Sequence, residues 1–482
     1  MNVKSLALNK VVFYLLSRYF TYFIQFVTSL VIAVKLGPYY MGVWGFILLL
    51  LTYFQQFHFG IANSLNIFLI HHKDNRQEYN TYISNALVLV GGLSLLVFVF
   101  AFYYYMVGIP YIEKFHIRNY MLWICLIAVL QYFNMLFLNI LRVRNCLRMV
   151  AFNQSVIVFL NFLCVFFFTG EKLIYYLVAG YVVGNVLGVA ATVKSHVLPC
   201  FREMQVSCVY LRRIFKKGLY LFLYSSCFYF IIISIRTIVS YYYTIEEFGL
   251  FTFSFTLAHA LLLLLEAVAF VIYPKVIHKL SSDNLGEVNA MLSNLRKMYI
   301  SSAHLLIYVA LCCFPLLIHY IPKYEGAWQV FNLIALSILM NTNSFGFSTL
   351  LVARNKERYT ALISCMALLA NIVLGLLLAI VFKVPFSFVI LATLVAYLLF
   401  SFFNVYVGKR LLGKFSLGEI IRDAFPLRLW IPYVTALLLV LGALYRWLPV
   451  VLLLYLLLNY RDLSMIAKTG RKMIARPGVV DL

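Results

Sequence analysis

Apolar runs long enough to cross a bilayer recur along the whole chain, and about 20 residues suffice for a helix to span ~30 Å of hydrocarbon. Fourteen such spans are read, at residues 11–34, 43–70, 83–107, 119–141, 150–169, 173–193, 218–243, 248–273, 298–321, 327–352, 359–382, 385–407, 428–444 and 447–463. The last two are short and must turn at Arg446 and Trp447. Lipid offers no partner to a backbone N–H or C=O, so the runs are expected to be helices and the chain an all-α, polytopic integral membrane protein. Composition agrees: 11% of the 482 residues are charged, where a soluble chain carries about 25%. The first run, from Val11, is longer than a signal-peptide core and no small-residue cleavage site follows it, so it is expected to be retained.

Lys and Arg collect in cytoplasmic loops, which tests the count. With the N-terminus inside, the tails and even-numbered loops hold 30 of the 39 basic residues, among them RVRNCLR, LRRIFKK, ARNKER and GKRLLGK. The opposite loops hold Lys35, Lys114, Arg118, Lys172, Lys323, Lys383 and Arg446, and Arg18 and Arg236 lie within spans. Both termini are therefore expected in the cytoplasm, and the net charge of +23 is explained by an anionic inner leaflet without any nucleic acid. Nine scattered cysteines have no metal-like spacing and read as small core residues. No P-loop is present, so direct ATP coupling is not expected, and neither a cofactor nor a metal is called for.

An internal repeat joins the two halves. Arg144-Asn145-Cys146-Leu147-Arg148 matches Arg354-Asn355-Lys356-Glu357-Arg358 at an offset of 210, kept by Asn161 and Asn371, and Gly42-Val43-Trp44-Gly45-Phe46 lies over Gly249-Leu250-Phe251-Thr252-Phe253 at 207. The offset equals six spans, an even number, so the halves point the same way through the membrane, as in transporters built from parallel repeats. The expected organisation is an N-lobe at 1–193, a basic cytoplasmic linker at 194–217 that reads as an amphipathic surface segment, a C-lobe at 218–410, and a helix pair with a basic tail at 411–482.

Polar residues recurring at helical spacing mark a face turned away from lipid. Four spans have one: Arg18, Thr21, Gln25 and Thr28 in the first; Gln56, Asn63 and Asn66 in the second; Ser225, Tyr229, Arg236 and Ser240 in the seventh; Thr252, Thr256, His259 and Glu266 in the eighth. These are spans one and two of each half. For any single Ser, Thr or Asn, interhelical hydrogen bonding is an equal alternative to lining a cavity. An arginine at mid-span costs about 2.5 to 3.5 kcal/mol to insert, so Arg236 and Arg18 need a reason: an anion inside the protein, or snorkelling to the headgroups. Glu266 is the one carboxylate read inside a span, either a protonated acid shared between helices or, with His259, a site for a coupling H+ or Na+. Two arginines among amides and hydroxyls favour an anionic, hydroxyl-rich cargo.

LGPYYMGVWGF after the first span, EEFGLFTFSF before the eighth, the proline of VIYPKV and the LLVARNKERY stretch resemble the polysaccharide transporters of the multidrug/oligosaccharidyl-lipid/polysaccharide exporter superfamily. The resemblance spans helices one to twelve. It implies fourteen helices in two six-helix lobes around a cationic cavity, and flipping of undecaprenyl-diphosphate-linked oligosaccharide repeat units, for O-antigen, capsule or exopolysaccharide, across the inner membrane of a bacterium. It also implies contact with membrane lipid, and with a polysaccharide polymerase and chain-length regulator as partners. The family often has an acid before the arginine of the seventh helix, where this chain has Ile235 before Arg236. A drug/cation antiporter of the same superfamily remains the runner-up, although it would need more carboxylates. A membrane-embedded polymerase or glycosyltransferase would present catalytic groups on sizeable outer loops, and the longest here, GIPYIEKFHIRN, is about a dozen residues.

Overall fold

The computed structural model describes the backbone of residues 10–475 apart from 73, 196, 200–203, 281 and 283, and the same side chains apart from 10–16, 224, 225, 264, 266–275, 277, 278 and 469–475. Among the described residues eleven helices are long and apolar enough to cross a membrane, or thirteen when two bent pairs count as one span each. The first, α1 (Lys10–Gln56), has 47 residues, about 70 Å if straight and more than twice the hydrocarbon thickness. Gly37, at φ 70 and ψ 173 and followed by Pro38, divides it in two. With that division the described residues hold up to fourteen helices of a length and composition that can span.

The chain forms two compact units, Met1–Ser226 and Cys227–Leu482. In unit 1, α1 is followed by α2 (Ile61–His71), α3 (Arg76–Val107), α4 (Met121–Val143), α5 (Leu147–Phe167), α6 (Gly170–Lys194) and the first part of α7 (Cys208–Tyr242). The second expected span, 43–70, is interrupted between α1 and α2, where Phe59 and Gly60 take φ 46 and 69. Backbone groups freed inside an apolar region must find partners; local bonds such as Phe57 N–H to the Phe54 carbonyl at 2.9 Å meet some of them, and α4 braces the break from its side. Tyr132 donates to the Phe54 carbonyl at 2.7 Å, Gln55 donates to the Gln131 side chain at 3.1 Å, and Asn139 donates to the Ala62 carbonyl at 3.0 Å. A Cβ on Gly60 would stand 2.3 Å from the Gly218 carbonyl oxygen, so glycine is required there for space as well as for its φ.

Part of the segment expected as a basic, amphipathic linker packs within unit 1. Asn85 of α3 donates to the Gln205 carbonyl and accepts from the Ser207 amide, both at 2.9 Å, and Ser64 of α2 donates to the Ile214 carbonyl at 3.0 Å. Arg212, Arg213, Lys216 and Lys217 remain exposed along that stretch.

Unit 2 continues α7 and adds α8 (Ile245–Leu280), α9 (Leu285–Tyr320), α10 (Ala327–Asn341), α11 (Phe347–Ala353), α12 (Glu357–Leu376), α13 (Leu391–Leu412), α14 (Leu417–Ala424), α15 (Leu427–Leu441) and α16 (Leu448–Ala475). The sequence repeat is a backbone repeat as well. Asn145 and Asn355 both adopt left-handed φ, 57 and 53. At each turn the same carbonyls accept at offset 210: Asn145 N–H to Arg142 and Cys146 N–H to Leu141, then Asn355 N–H to Val352 and Lys356 N–H to Leu351. The local hydrogen bond that an asparagine side chain can offer makes it the residue that tolerates this conformation best after glycine.

Candidate functional site

Arg236 lies in unit 2 on α7, six residues before that helix ends. Its guanidinium sits 5.0 Å from the centroid of the Phe255 ring on α8, and the residue is 7% exposed. A snorkelling arginine would extend its head into water; this one is enclosed. Charge over an aromatic face is stabilised by the ring quadrupole, and a desolvated guanidinium keeps its forked donors aimed in fixed directions. His259, four residues along α8, is exposed and stacks on the same Phe255 ring with centroids 5.6 Å apart.

One turn earlier, α7 is pinned by a buried amide. Asn371 of α12 donates to the Ile231 carbonyl at 2.7 Å and to Ser234 Oγ at 2.9 Å, and accepts from Thr393 Oγ1 of α13 at 2.9 Å. Because Ser234 is two residues from Arg236, this hub sets the rotation of α7 that presents the guanidinium to Phe255. Sequence reasoning did not place Asn371, Thr393 or Phe255 at the site. The offset that Asn371 shares with Asn161 was the available signal for the first, and nothing in the local sequence marks the others.

Several expected lining residues are instead turned into the packing. Ser240 and Thr252 are buried, Ser240 donating to the Thr237 carbonyl at 2.9 Å and Thr256, half-buried, to the Thr252 carbonyl at 2.8 Å. Tyr229 is exposed. In unit 1, Thr21 and Thr28 are buried and return their hydroxyls to the Ser17 and Ile24 carbonyls, and Thr21 also meets Ser155 of α5 at 2.8 Å. A hydroxyl in apolar surroundings is satisfied most cheaply by its own helix, as at Thr21, Thr28, Ser240 and Thr256. Gln25 and Asn63 are exposed, and Gln56 and Asn66 half-buried, Gln56 accepting from Ser226 at 3.4 Å. Arg18 is half-buried with its guanidinium 4.7 Å from the Tyr22 ring of its own helix. The side chains of Ser225 and Glu266 lie outside the described residues.

Carboxylates are sparse inside the described part of unit 2. Asp462 is the buried carboxylate among the described residues, and Arg428 neutralises it with two bonds of 2.9 and 2.8 Å. No group of three His, Cys, Asp or Glu suited to a metal occurs among the described residues.

A family model described as polysaccharide biosynthesis protein matches residues 7–280. The fold is similar to a structure described as lipid II flippase MurJ in an inward closed conformation, with a TM-score of 0.71, 14% identity, and coverage of 95% of this chain and 99% of that one. It is also similar to an inward-facing multidrug resistance MATE family transporter of the MOP superfamily, at TM-score 0.65 and 10% identity over 83% of this chain and 98% of that one. A MOP superfamily transporter from Pyrococcus furiosus, described as having a binding pocket of reverse polarity, aligns at TM-score 0.52 and 10% identity over 83% and 94%. No curated protein matches the sequence.

Proposed function

The chain belongs to the polysaccharide biosynthesis protein family, and on that premise we propose that it flips undecaprenyl-diphosphate-linked oligosaccharide repeat units from the inner to the outer leaflet of a bacterial cytoplasmic membrane. The observation that carries the reading is the enclosed guanidinium of Arg236 over Phe255. Arginine presents paired N–H donors that match phosphate oxygens, and the diphosphate is the one obligatory anion of such a cargo. An oligosaccharide has many hydroxyls, each costing roughly 2 to 7 kcal/mol to strip of water unpaired, so crossing without a protein is negligible.

In the proposed cycle of alternating access the head group enters from the cytoplasmic side, Arg236 engages the diphosphate, and the lipid tail stays in the bilayer. Arg18 is the second candidate for the phosphates. An inside-negative potential helps expel the anion by about 2.3 kcal/mol per charge per 100 mV. His259 and Glu266 are the groups through which H+ or Na+ would couple, and a polymerase with its chain-length regulator would receive the product.

The test replaces Arg236 by Ala and by Lys in the native host, with surface polysaccharide and inner-leaflet precursor both measured. The expected result is loss of polymer with accumulation of precursor for Ala, and partial loss for Lys, which supplies charge without the fork. Normal polymer from the Ala variant removes the assignment. The likeness to a MATE transporter keeps one second reading, cation-coupled drug efflux. Sodium- or pH-driven efflux of cationic drugs that ceases on Glu266→Gln would favour it.

A further inference from the structure

A second basic site lies in unit 2, away from Arg236. The start of α9, the end of α13, the short helix α14 and the start of α15 enclose a cavity of about 190 Å³, lined among others by Arg296, Lys297, Lys409, Arg422, Asp423 and Arg428. Five cations face one carboxylate. By the share of volume a water takes in the liquid, ~30 Å³, there is room for one tetrahedral oxyanion and some solvent.

The walls are built before any ligand arrives. Arg296 is 6% exposed, lies 4.6 Å from the Phe347 ring centroid, and donates to the carbonyls of Asn343 at 2.6 Å, Phe345 at 2.7 Å and Asp423 at 3.1 Å. Those acceptors are neutral, so the charge of Arg296 is not cancelled by them. Lys409, 7% exposed, is held by Asn289 and the Asp423 carboxylate. Arg428 is spent on Asp462. Lys297 and Arg422 are exposed at the rim, and among the described residues no carboxylate lies within salt-bridge distance of either. Glu419, one turn before Arg422, is committed to a capping box with Ser416.

Charge alone does not identify the ligand; the neighbouring surface does. Helix α14 is short and amphipathic, with Ile420 and Ala424 buried and Leu417 and Ile421 exposed at 56% and 45%. Beyond its bend into α15, Leu427 is 68% exposed and Ile431 47%. Such a helix suits the membrane surface, with Leu417 and Ile421 toward acyl chains, before a bend of 58° leads into the crossing helix α15. A basic cavity at that level, beside an apolar rim, has the two halves of a lipid recognition site: cations for the phosphate and hydrocarbon for the tails.

We propose that this cavity binds the phosphate of an anionic phospholipid headgroup, with Lys297 and Arg422 as the groups that close on it and Arg296 as the fixed positive wall. The basic stretch GKRLLGK, expected on the cytoplasmic side, puts the cavity at the cytoplasmic leaflet, where anionic lipids reside. The inference does not depend on the transport reading, since it concerns binding to the purified chain.

The test is native mass spectrometry of the full-length protein in neutral detergent, titrated with phosphatidylglycerol, with phosphatidylcholine and with inorganic phosphate. Each cation near a phosphate-bearing surface contributes about fivefold, so Lys297→Gln with Arg422→Gln should weaken phosphatidylglycerol by on the order of tenfold or more and leave phosphatidylcholine unchanged. Lys297→Arg with Arg422→Lys, which keeps both charges, should retain it and controls for folding. Equal phosphatidylglycerol binding by wild type and the Gln variant, or no preference over phosphatidylcholine, overturns the proposal. Inorganic phosphate binding that shares the Gln sensitivity while phosphatidylglycerol does not bind overturns the lipid and leaves a soluble phosphate site.

Discussion

Arg18 and Arg236 sit on the opening helices of the two units, yet their surroundings differ. Arg18 is half-buried over Tyr22, one turn along the same helix. Arg236 is enclosed, over a ring from another helix, beside a hub contributed by two more. The second helices differ as well: in unit 1 the span breaks at Phe59 and Gly60, whereas α8 of unit 2 runs unbroken from Ile245 to Leu280. The repeat keeps the backbone frame, down to the left-handed asparagine at 145 and 355, while side-chain roles have diverged on it. Shared ancestry of the frame therefore does not license equal roles for its two arginines.

The difference at the second helix should produce the largest effect. Gly60→Ala puts a Cβ against the Gly218 carbonyl at φ 69, and about 2 to 4 kcal/mol of destabilisation is expected from the conformation and the overlap. Thermal unfolding of the purified variant measures it, and an unchanged midpoint would mean that the break is not held by that close approach.

Next comes the arginine pair. Losing charge-assisted bonds to a phosphate costs about 1.5 to 3 kcal/mol, or roughly tenfold to a hundredfold in transport, for Arg236→Ala. Arg18→Ala should cost less than about threefold, because its ring partner is local and its head partly solvated. Polymer output of the two variants, measured side by side, decides; equal losses would restore symmetry between the units.

Each unit also has an asparagine hub. Asn134 donates to the Asn185 carbonyl and side chain at 3.0 and 2.9 Å and accepts from Asn153 at 3.0 Å, as Asn371 does with Ile231, Ser234 and Thr393. At roughly 0.6 kcal/mol per bond in a membrane protein, either Asn→Ala change should cost about 2 kcal/mol of stability. Only Asn371→Ala should also lower transport in a refolded or stabilised background, because its partner Ser234 is two residues from Arg236. The smallest expected effect is at the turns: Asn145→Ala and Asn355→Ala should each cost about 1 kcal/mol, with Asn→Gly near neutral. Unequal costs would show that one turn is buttressed from outside.

The fourteen apolar spans were legible because hydropathy acts over a single window, and the paired turns because Arg-Asn at one offset is a local signature. Span ends were less legible. Arg296 reads as loop when a hydropathic span begins at 298, yet α9 begins at Leu285 and buries Arg296, because a helix can continue past the hydrocarbon wherever side chains cover it. The break at Phe57–Gly60 was also hidden, since Gln55, Gln56, His58 and Asn63 around it read as a polar face of one helix and not as an interruption.

Polar spacing was the least reliable guide to the site. Thr21, Thr28, Ser240 and Thr252 have the right periodicity for a wet face and are buried, because periodicity says which residues share a face and not what that face meets. Sequence by itself determined that this chain must cross a membrane many times in two similar halves, since transfer energies and turn preferences are properties of short segments. Only the tertiary structure decided that Arg236 is enclosed over Phe255 and that Arg296 is held by three carbonyls, because the rotation of each helix is set by partners up to 140 residues away.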